Sequence, residues 1–251
     1  MKRLVASPNL PSDCSAVIYG QKYAGILQKP LKLSNIESVL LPDNPFIDPR
    51  LAGHADLSVL HTEGDRVYLA PYLKGTSFAQ RLQAYGMQIE YPPIKQSADY
   101  PQDSQLNICL MGKYVICNTK TACADIVDYL TNSCNSNIFP VRQGYSRCAV
   151  CVVDAESLIT ADRGIAQAAA NGLQVLLIQA GHIRLDGFPY GFIGGAAFKL
   201  ASDKLAFTGS LDAHPDRDAI LRFLYARHIE PVFLSREPLF DIGSAIPIFE
   251  N

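Results

Sequence analysis

The chain has 251 residues, of which 48% are hydrophobic and 18% are charged, and its 24 acidic and 22 basic residues leave a net charge of −2. This composition is typical of a compact globular protein and argues against a disordered chain. The Lys and Arg residues form no run, so a nucleic-acid-binding surface is not expected. No stretch approaches 18 consecutive apolar residues, and no apolar segment follows the basic pair Lys2-Arg3. Neither a transmembrane helix nor a signal peptide is therefore predicted, and a membrane is not an expected partner.

Residues 1–14 are interpreted as an N-terminal arm, after which a short apolar run occurs five times. The runs begin at Ala16, Arg66, Lys113, Ser157 and Lys204, which are 50, 47, 44 and 47 residues apart. A helical pattern follows each run, over residues 23–28, 77–85, 123–130, 163–171 and 218–227. A second strand then follows, over residues 36–41, 87–91, 138–141, 173–178 and 229–234. Asp162 and Asp216 stand where N-caps are expected, and Gly86 and Gly172 stand where helices end.

A further strand turns tightly into each following run. These strands are predicted over residues 56–60, 106–111, 148–154 and 195–200, with turns such as Glu63-Gly64-Asp65 that are typical of hairpins. The last such strand, over 242–249, has no following run, so its natural partner is the first run at 16–20. Their pairing would cover two sheet edges and close a ring.

These patterns predict one α/β domain over residues 1–251, a five-fold α/β propeller of repeated ββαβ units closed by pairing of its N- and C-terminal strands. A doubly wound sheet is the alternative, but it has single strands between its crossover helices. Here a hairpin precedes each helix.

Seven cysteines occur at irregular spacings, several of them within apolar strand patterns. We therefore expect reduced thiols buried as small hydrophobic residues, which predicts a cytoplasmic protein rather than a disulfide framework. Cys148 and Cys151 form a CxxC pair, but residues three apart on a strand face opposite sides. The histidines and carboxylates also lack the spacing of metal ligands, so neither a metal nor a cofactor is predicted.

Four glycine-containing stretches resemble an uncharacterised bacterial family of the pentein, or guanidine-modifying-enzyme, fold. More distantly, the chain is similar to arginine deiminases, dimethylarginine hydrolases and amidinotransferases. All four stretches lie in the loop that leads into the first hairpin strand of a unit, so a ring would bring them to one mouth of its central channel. The stretches are Gly53-His54-Ala55-Asp56, Gly144-Tyr145-Ser146-Arg147-Cys148, Tyr190-Gly191-Phe192-Ile193-Gly194-Gly195 and Asp241-Ile242-Gly243-Ser244.

The resemblance implies a cysteine thiolate that attacks a guanidinium carbon, a histidine that transfers protons, and carboxylates that hold the cationic substrate. His54-Ala55-Asp56 is similar to the His-x-Asp at the start of a strand in those enzymes. Their nucleophile lies in a Gly-Gly-x-His-Cys-like stretch at the last strand, whereas this chain has Ser244 there and no cysteine. Cys148 is therefore the candidate nucleophile, and Cys109, in a comparable strand, is a weaker one.

The predicted catalytic residues are Cys148 and His54, and the predicted substrate-binding residues are Asp56, Arg147, Gly194, Gly195 and Asp241. Arg147 would lower the pKa of the Cys148 thiol, but a guanidinium that pointed into the channel would favour an anionic ligand, and its direction stays open. The alternative interpretation of Gly194 and Gly195 is close backbone packing.

Two functions stay open. One is a cysteine-dependent hydrolase or transferase that acts on a small guanidino or amidino compound at the channel mouth. The other is a non-catalytic pentein that binds a small molecule or a protein partner there. A homodimer is a further expectation.

Overall fold

The computed structural model describes residues 3–251, and the strands in this range form five small sheets. The first sheet has the strand order β1-β16-β2-β3, with β1 (Arg3–Leu4), β2 (Cys14–Gly20), β3 (Glu37–Leu41) and β16 (Ile246–Glu250). The other four sheets have three strands each, in chain order. They contain β4 (Val59–His61), β5 (Arg66–Leu69) and β6 (Gln88–Glu90); β7 (Cys109–Met111), β8 (Tyr114–Cys117) and β9 (Asn137–Pro140); β10 (Val150–Val152), β11 (Ser157–Thr160) and β12 (Gln174–Leu177); β13 (Ala197–Ala201), β14 (Lys204–Phe207) and β15 (Glu230–Phe233).

The same pairing pattern occurs in each three-stranded sheet. The first two strands form an antiparallel hairpin, and the third lies parallel to the second. Because parallel neighbours require a crossover connection, a helix joins the second strand to the third in each sheet. The crossover helices are α1 (Ala24–Leu33), α2 (Ser77–Ala84), α3 (Ala124–Asn132), α5 (Arg163–Ala169) and α6 (Arg217–Tyr225), and α4 (Ser146–Ala149) is a short helix before β10. Within residues 3–251, no helix has the length and apolar character needed to cross a bilayer.

The first sheet joins the two ends of the described chain. β2 pairs antiparallel with β16, where Ile18 lies opposite Ile246, and parallel with β3. The predicted pairing of the first apolar run with the last strand is therefore present. Val5 at the N-terminal arm also donates its backbone N–H to the carbonyl of Ile248, at 3.0 Å.

The helices begin close to their predicted positions, and both predicted N-cap residues occupy the N-cap position, but only one of them caps its helix with its side chain. The Asp162 carboxylate accepts a hydrogen bond from Ile165 N at 2.9 Å, as expected of an N-cap. Asp216 occupies the N-cap position of α6, yet its carboxylate accepts from Gln179 N at 2.6 Å and leaves the helix uncapped by its side chain. Asp216 therefore ties α6 to the loop after β12.

The loops that lead into the hairpins, called leading loops below, differ from prediction. Asp56 and Cys148 were expected to begin strands, but Asp56 lies in a turn of 3-10 helix at Ala55–Leu57 and Cys148 lies in α4. The strand prediction was wrong at these residues because their backbone groups bond to the leading loops of other units. Asp56 N donates to Gly243 O at 3.2 Å, and Cys148 O accepts from Gly195 N at 2.9 Å.

Candidate functional site

The five leading loops contact one another through a series of hydrogen bonds. Asn107 Nδ2 donates to Asp56 O at 3.3 Å, and Cys148 N donates to Asn107 Oδ1 at 3.3 Å. Gly195 N then donates to Cys148 O, and Ser244 N donates to Gly195 O at 3.0 Å. With the bond from Asp56 N to Gly243 O, all five leading loops take part. Three of the residues in this series, Asp56, Cys148 and Gly195, are among the predicted site residues.

Cys148 is buried at the centre of this arrangement. Its Sγ donates to Asp56 Oδ2 at 2.9 Å and accepts from Asn107 Nδ2 at 3.3 Å. Burial raises the pKa of the Cys148 thiol well above its ordinary value, and the negative charges of Asp56 and Asp241 raise it further. The thiol of the free protein is therefore protonated and directed at a carboxylate.

Asp56 is the carboxylate that accepts the Cys148 thiol proton in this hydrogen bond. Its side chain is buried, and burial raises its pKa from 3.8 to about 7, against the opposing effects of the Cys148 hydrogen bond and the Arg147 charge. Its second oxygen, Oδ1, has no hydrogen-bond partner among residues 3–251. Asp56 can therefore exchange a proton near neutral pH and still has a free acceptor.

His54 lies beside the two carboxylates, two residues before Asp56. Its Nδ1 is 3.9 Å from Asp241 Oδ1, whereas its buried Nε2 has no partner in the described chain. Burial lowers the pKa of His54 to about 3, and the nearby Lys22 charge lowers it further. The imidazole is neutral at neutral pH. It can therefore accept a proton as a general base, but it does not carry the additional proton that a general acid would donate.

Asp241 is held by backbone groups. Its two carboxylate oxygens accept from Phe192 N and Gly243 N, each at 2.8 Å. Burial raises the pKa of Asp241 from 3.8 to about 6, although these two bonds lower it. A Cβ at Gly195 would overlap the Asp241 carboxylate, so glycine is required there for Asp241 to take this position.

The glycine pair 194–195 was predicted to bind substrate. A Cβ at Gly194 would overlap Val150 O. Both residues therefore serve the close packing of the leading loops, and contact with a substrate stays a prediction.

Arg147 points away from the thiol. Its Nε donates to Asn9 Oδ1 at 3.1 Å, its Nη2 donates to Ser244 Oγ at 2.6 Å, and its Nη1 donates to the carbonyls of Val150 and Gly194 at 3.3 and 3.4 Å. The guanidinium thus lies toward the N-terminal arm, and its N–H groups donate to side-chain and backbone oxygens of the protein. Its predicted substrate-binding role stays untested, and these contacts favour a positioning role.

A pocket of about 250 Å³ opens over the thiol. Its polar members are Cys148, His54 and Asp241, together with the hydroxyls of two tyrosines. The remaining wall is apolar, and the lining side chains beyond the three polar ones are Leu51, Leu57, Leu185, Pro189, Tyr145, Phe188, Tyr190 and Phe192. A neighbouring pocket of about 270 Å³ shares Leu185 and Asp241 and is lined by Lys22, Arg50 and Arg184.

The structure also shows what the sequence did not indicate. One donor atom from each of His54, Asp56 and Cys148 lies within 4.8 Å of the others, so these three residues could hold a metal ion, although their sequence spacing gave no such sign.

Asn107 was missed as a site residue, yet it occupies the same place before β7 that Cys148 occupies before β10. Cys109 lies in β7 within the core, where burial raises its pKa to about 12, and it does not line the pocket.

Several solved structures of enzymes are similar to this chain in fold. SxtG, an amidinotransferase from Microseira wollei in the saxitoxin biosynthetic pathway, matches with a TM-score of 0.57 at 10% identity, over 92% of this chain and 91% of its own. DDAH from Pseudomonas aeruginosa, a Cys-to-Ser mutant complexed with citrulline, matches with a TM-score of 0.55 at 10% identity, over 88% and 93%. The agmatine deiminase of C. jejuni matches with a TM-score of 0.55 at 8% identity, over 93% and 91%. The chain therefore shares the pentein fold of these structures, a mixed α/β fold built from several small sheets.

Residues 19–246 match the Family of unknown function (DUF6873), so the chain belongs to that family. No curated protein matches the sequence. The predicted resemblance to an uncharacterised family of the pentein fold is confirmed, and the activity has to be argued from the site.

Proposed function

We propose that this protein is a cysteine-dependent hydrolase or transferase that acts on a small guanidino or amidino compound. The observation that carries the proposal is the meeting of Cys148, Asp56 and His54, with donor atoms within 4.8 Å, beside a pocket that Cys148 and His54 line. The solved structures that share this fold include an amidinotransferase, a DDAH and an agmatine deiminase, which supports the substrate class. Fold alone does not assign the reaction.

The charges around the thiol favour a cationic substrate. Asp56 and Asp241 are both buried beside Cys148, His54 is neutral, and Arg147 is turned away. An amidinium that enters the pocket would stabilise both carboxylates and would offset the charges that raise the thiol pKa. Substrate binding would therefore itself favour the thiolate, since the thiol of the free protein is protonated.

The geometry supports a definite order of proton transfers. Cys148 passes its proton to Asp56 Oδ2, and the thiolate attacks the amidine carbon. Asp56 returns the proton to the leaving nitrogen, the C–N bond breaks, and an amine departs while the amidino carbon stays bound to sulfur. His54 Nε2 then accepts a proton from the water or acceptor amine that attacks this carbon. The C–S bond breaks, and the proton on His54 returns to the Cys148 sulfur.

We infer further that the five sheets surround one axis as a five-fold propeller within a single domain. The pairing of β2 with β16 and the hydrogen bonds that join all five leading loops support this arrangement. In a ring, these loops would meet at one mouth, which is where the proposed substrate binds.

The test is alkylation with 2-chloroacetamidine, a cationic reagent, compared with neutral iodoacetamide, followed by mass spectrometry of each cysteine peptide. We expect 2-chloroacetamidine to modify Cys148 selectively and faster than iodoacetamide does. The preference for the cationic reagent should be lost in Asp241→Asn and kept in Asp186→Asn, which removes an exposed carboxylate near the mouth. The companion assay follows amine or ammonia release from guanidino and amidino compounds, which Cys148→Ser should abolish.

A non-catalytic binding protein is the second candidate, and the raised pKa of the buried Cys148 thiol favours it. Under this alternative, ligands would bind in the same pocket without release of any amine. Labelling spread over several cysteines, or labelling that begins only after unfolding, would contradict the enzyme and leave the binding function.

A further inference from the structure

We infer that the substrate carries an apolar substituent, and no second charged group, on its guanidino or amidino head. This inference rests on the proposed function and names the substrate class of the same pocket. It follows from the walls over Cys148, which contain three leucines, one proline and four aromatic residues beside a single histidine and a single carboxylate. None of the lining side chains is a lysine or arginine.

Three of the four aromatic residues that line the pocket are ring neighbours, and Tyr100 extends the series beside it. The ring centroids of Tyr100 and Tyr145 are 5.3 Å apart, those of Tyr145 and Phe192 are 6.3 Å apart, and those of Tyr190 and Phe192 are 6.4 Å apart. The Tyr145 hydroxyl donates to Asp103 Oδ2 at 2.6 Å, which fixes the ring against the pocket. A substituent on a head bound near Cys148 would therefore lie against aromatic rings, which bury apolar groups favourably.

Two of the three basic residues of the neighbouring pocket already pair with carboxylates. Arg50 pairs with Asp48 at 2.5 Å and also donates to Gly187 O at 2.7 Å, and Arg184 lies 3.4 Å from Asp186. Lys22 donates to Arg50 O at 2.6 Å and lines the neighbouring pocket, not the pocket over Cys148. A carboxylate on a substituent in the pocket over Cys148 would face the apolar wall, where an unpaired charge is strongly disfavoured.

The pocket also has room for a substituent beside the head. Its volume of about 250 Å³ is many times the roughly 10–15 Å³ that a cavity needs to hold one water. The four non-hydrogen atoms of a guanidino head therefore leave space for a substituent. Butylguanidine, whose four-carbon chain is apolar, is a suitable probe.

The test measures binding to Cys148→Ala, which cannot turn over, by calorimetry with methylguanidine, butylguanidine and arginine. Burial of three added methylenes should tighten binding by about sixtyfold from methyl- to butylguanidine, at about fourfold for each methylene. Arginine should bind at least tenfold more weakly than butylguanidine, because its charged ends have no partner. Tyr190→Ala should weaken butylguanidine binding more than methylguanidine binding, whereas Tyr225→Ala, which removes an exposed tyrosine of α6, should change neither.

Equal affinity for methyl- and butylguanidine, or tighter binding of arginine, would overturn the inference. Failure of the proposed function has a different signature. In that case butylguanidine binds Cys148→Ala as expected, but the wild-type protein releases no amine from it or from any other guanidino or amidino compound.

Discussion

Asp56→Asn should stabilise the protein, and the gain should be larger at pH 8 than at pH 5. The substitution removes a buried carboxylate whose pKa is raised from 3.8 to about 7 by burial. A raised pKa means that the folded protein disfavours the ionised carboxylate. The shift from 3.8 to about 7 corresponds to an unfolding free energy that is about 4 kcal/mol lower when Asp56 is fully ionised than when it is protonated. Asparagine keeps the size and can still accept the Cys148 hydrogen bond.

The sign follows from proton binding. Between pH 3.8 and about 7, folded Asp56 holds a proton that the unfolded chain releases, so the contribution of this group to stability falls as the pH rises through this window. Between pH 5 and 7 the fall amounts to about 3 kcal/mol, at about 1.4 kcal/mol for each pH unit. His54 and Asp241 also titrate, but both proteins retain them, so their contributions largely cancel in the comparison.

The assay is urea unfolding of the wild type and Asp56→Asn at pH 5 and pH 8, with the unfolding free energy extrapolated to water. Asp186→Asn is the matched control, because it removes a carboxylate that is exposed instead of buried. A stability difference for Asp56→Asn that is equal at the two pH values, or that shrinks at pH 8, would refute the reasoning. The same variant should lose turnover. Asp56 would then be a residue that is needed for activity although it lowers the stability of the protein.

Two further substitutions test how the site is built. Gly195→Ala should destabilise the protein by about 1–3 kcal/mol in the same urea assay, because its Cβ would overlap the Asp241 carboxylate. Gly25→Ala in α1 is the control. It should be neutral or stabilising, because no atom lies near the new Cβ. Asn9→Ala should cost about 1–3 kcal/mol because it leaves a buried donor of Arg147 without its acceptor; an unchanged midpoint in thermal unfolding would show that the arm does not hold this guanidinium.

The strands and helices could be predicted from the sequence because their patterns are local. The runs that begin at Arg66 and Ser157 became β5 and β11, since apolar and β-branched residues between turn signals suffice for a strand. The helical turns at Asp56 and Cys148 could not be predicted, because backbone bonds to Gly243 and Gly195 in distant parts of the chain determine them.

The candidate site was predictable in part. His54, Asp56, Cys148 and Asp241 were identified by their place before a strand, and the structure brings them together. The direction of Arg147 could not be read from strand alternation, because the residue lies in a helical turn and its partner Asn9 is 138 positions away.

The pairing of β2 with β16 has a consequence for how the molecule folds. Ile18 and Ile246 come from opposite ends of the described chain, so forming this contact closes a long loop and costs conformational entropy. Few stabilising contacts offset this cost until the sheets between them have formed. The pocket depends on the same step, because Asp241 precedes β16 by a few residues while His54 precedes β4. A chain halted before this closure would hold most of its secondary structure and still lack the carboxylate pair that makes the pocket attractive to cations.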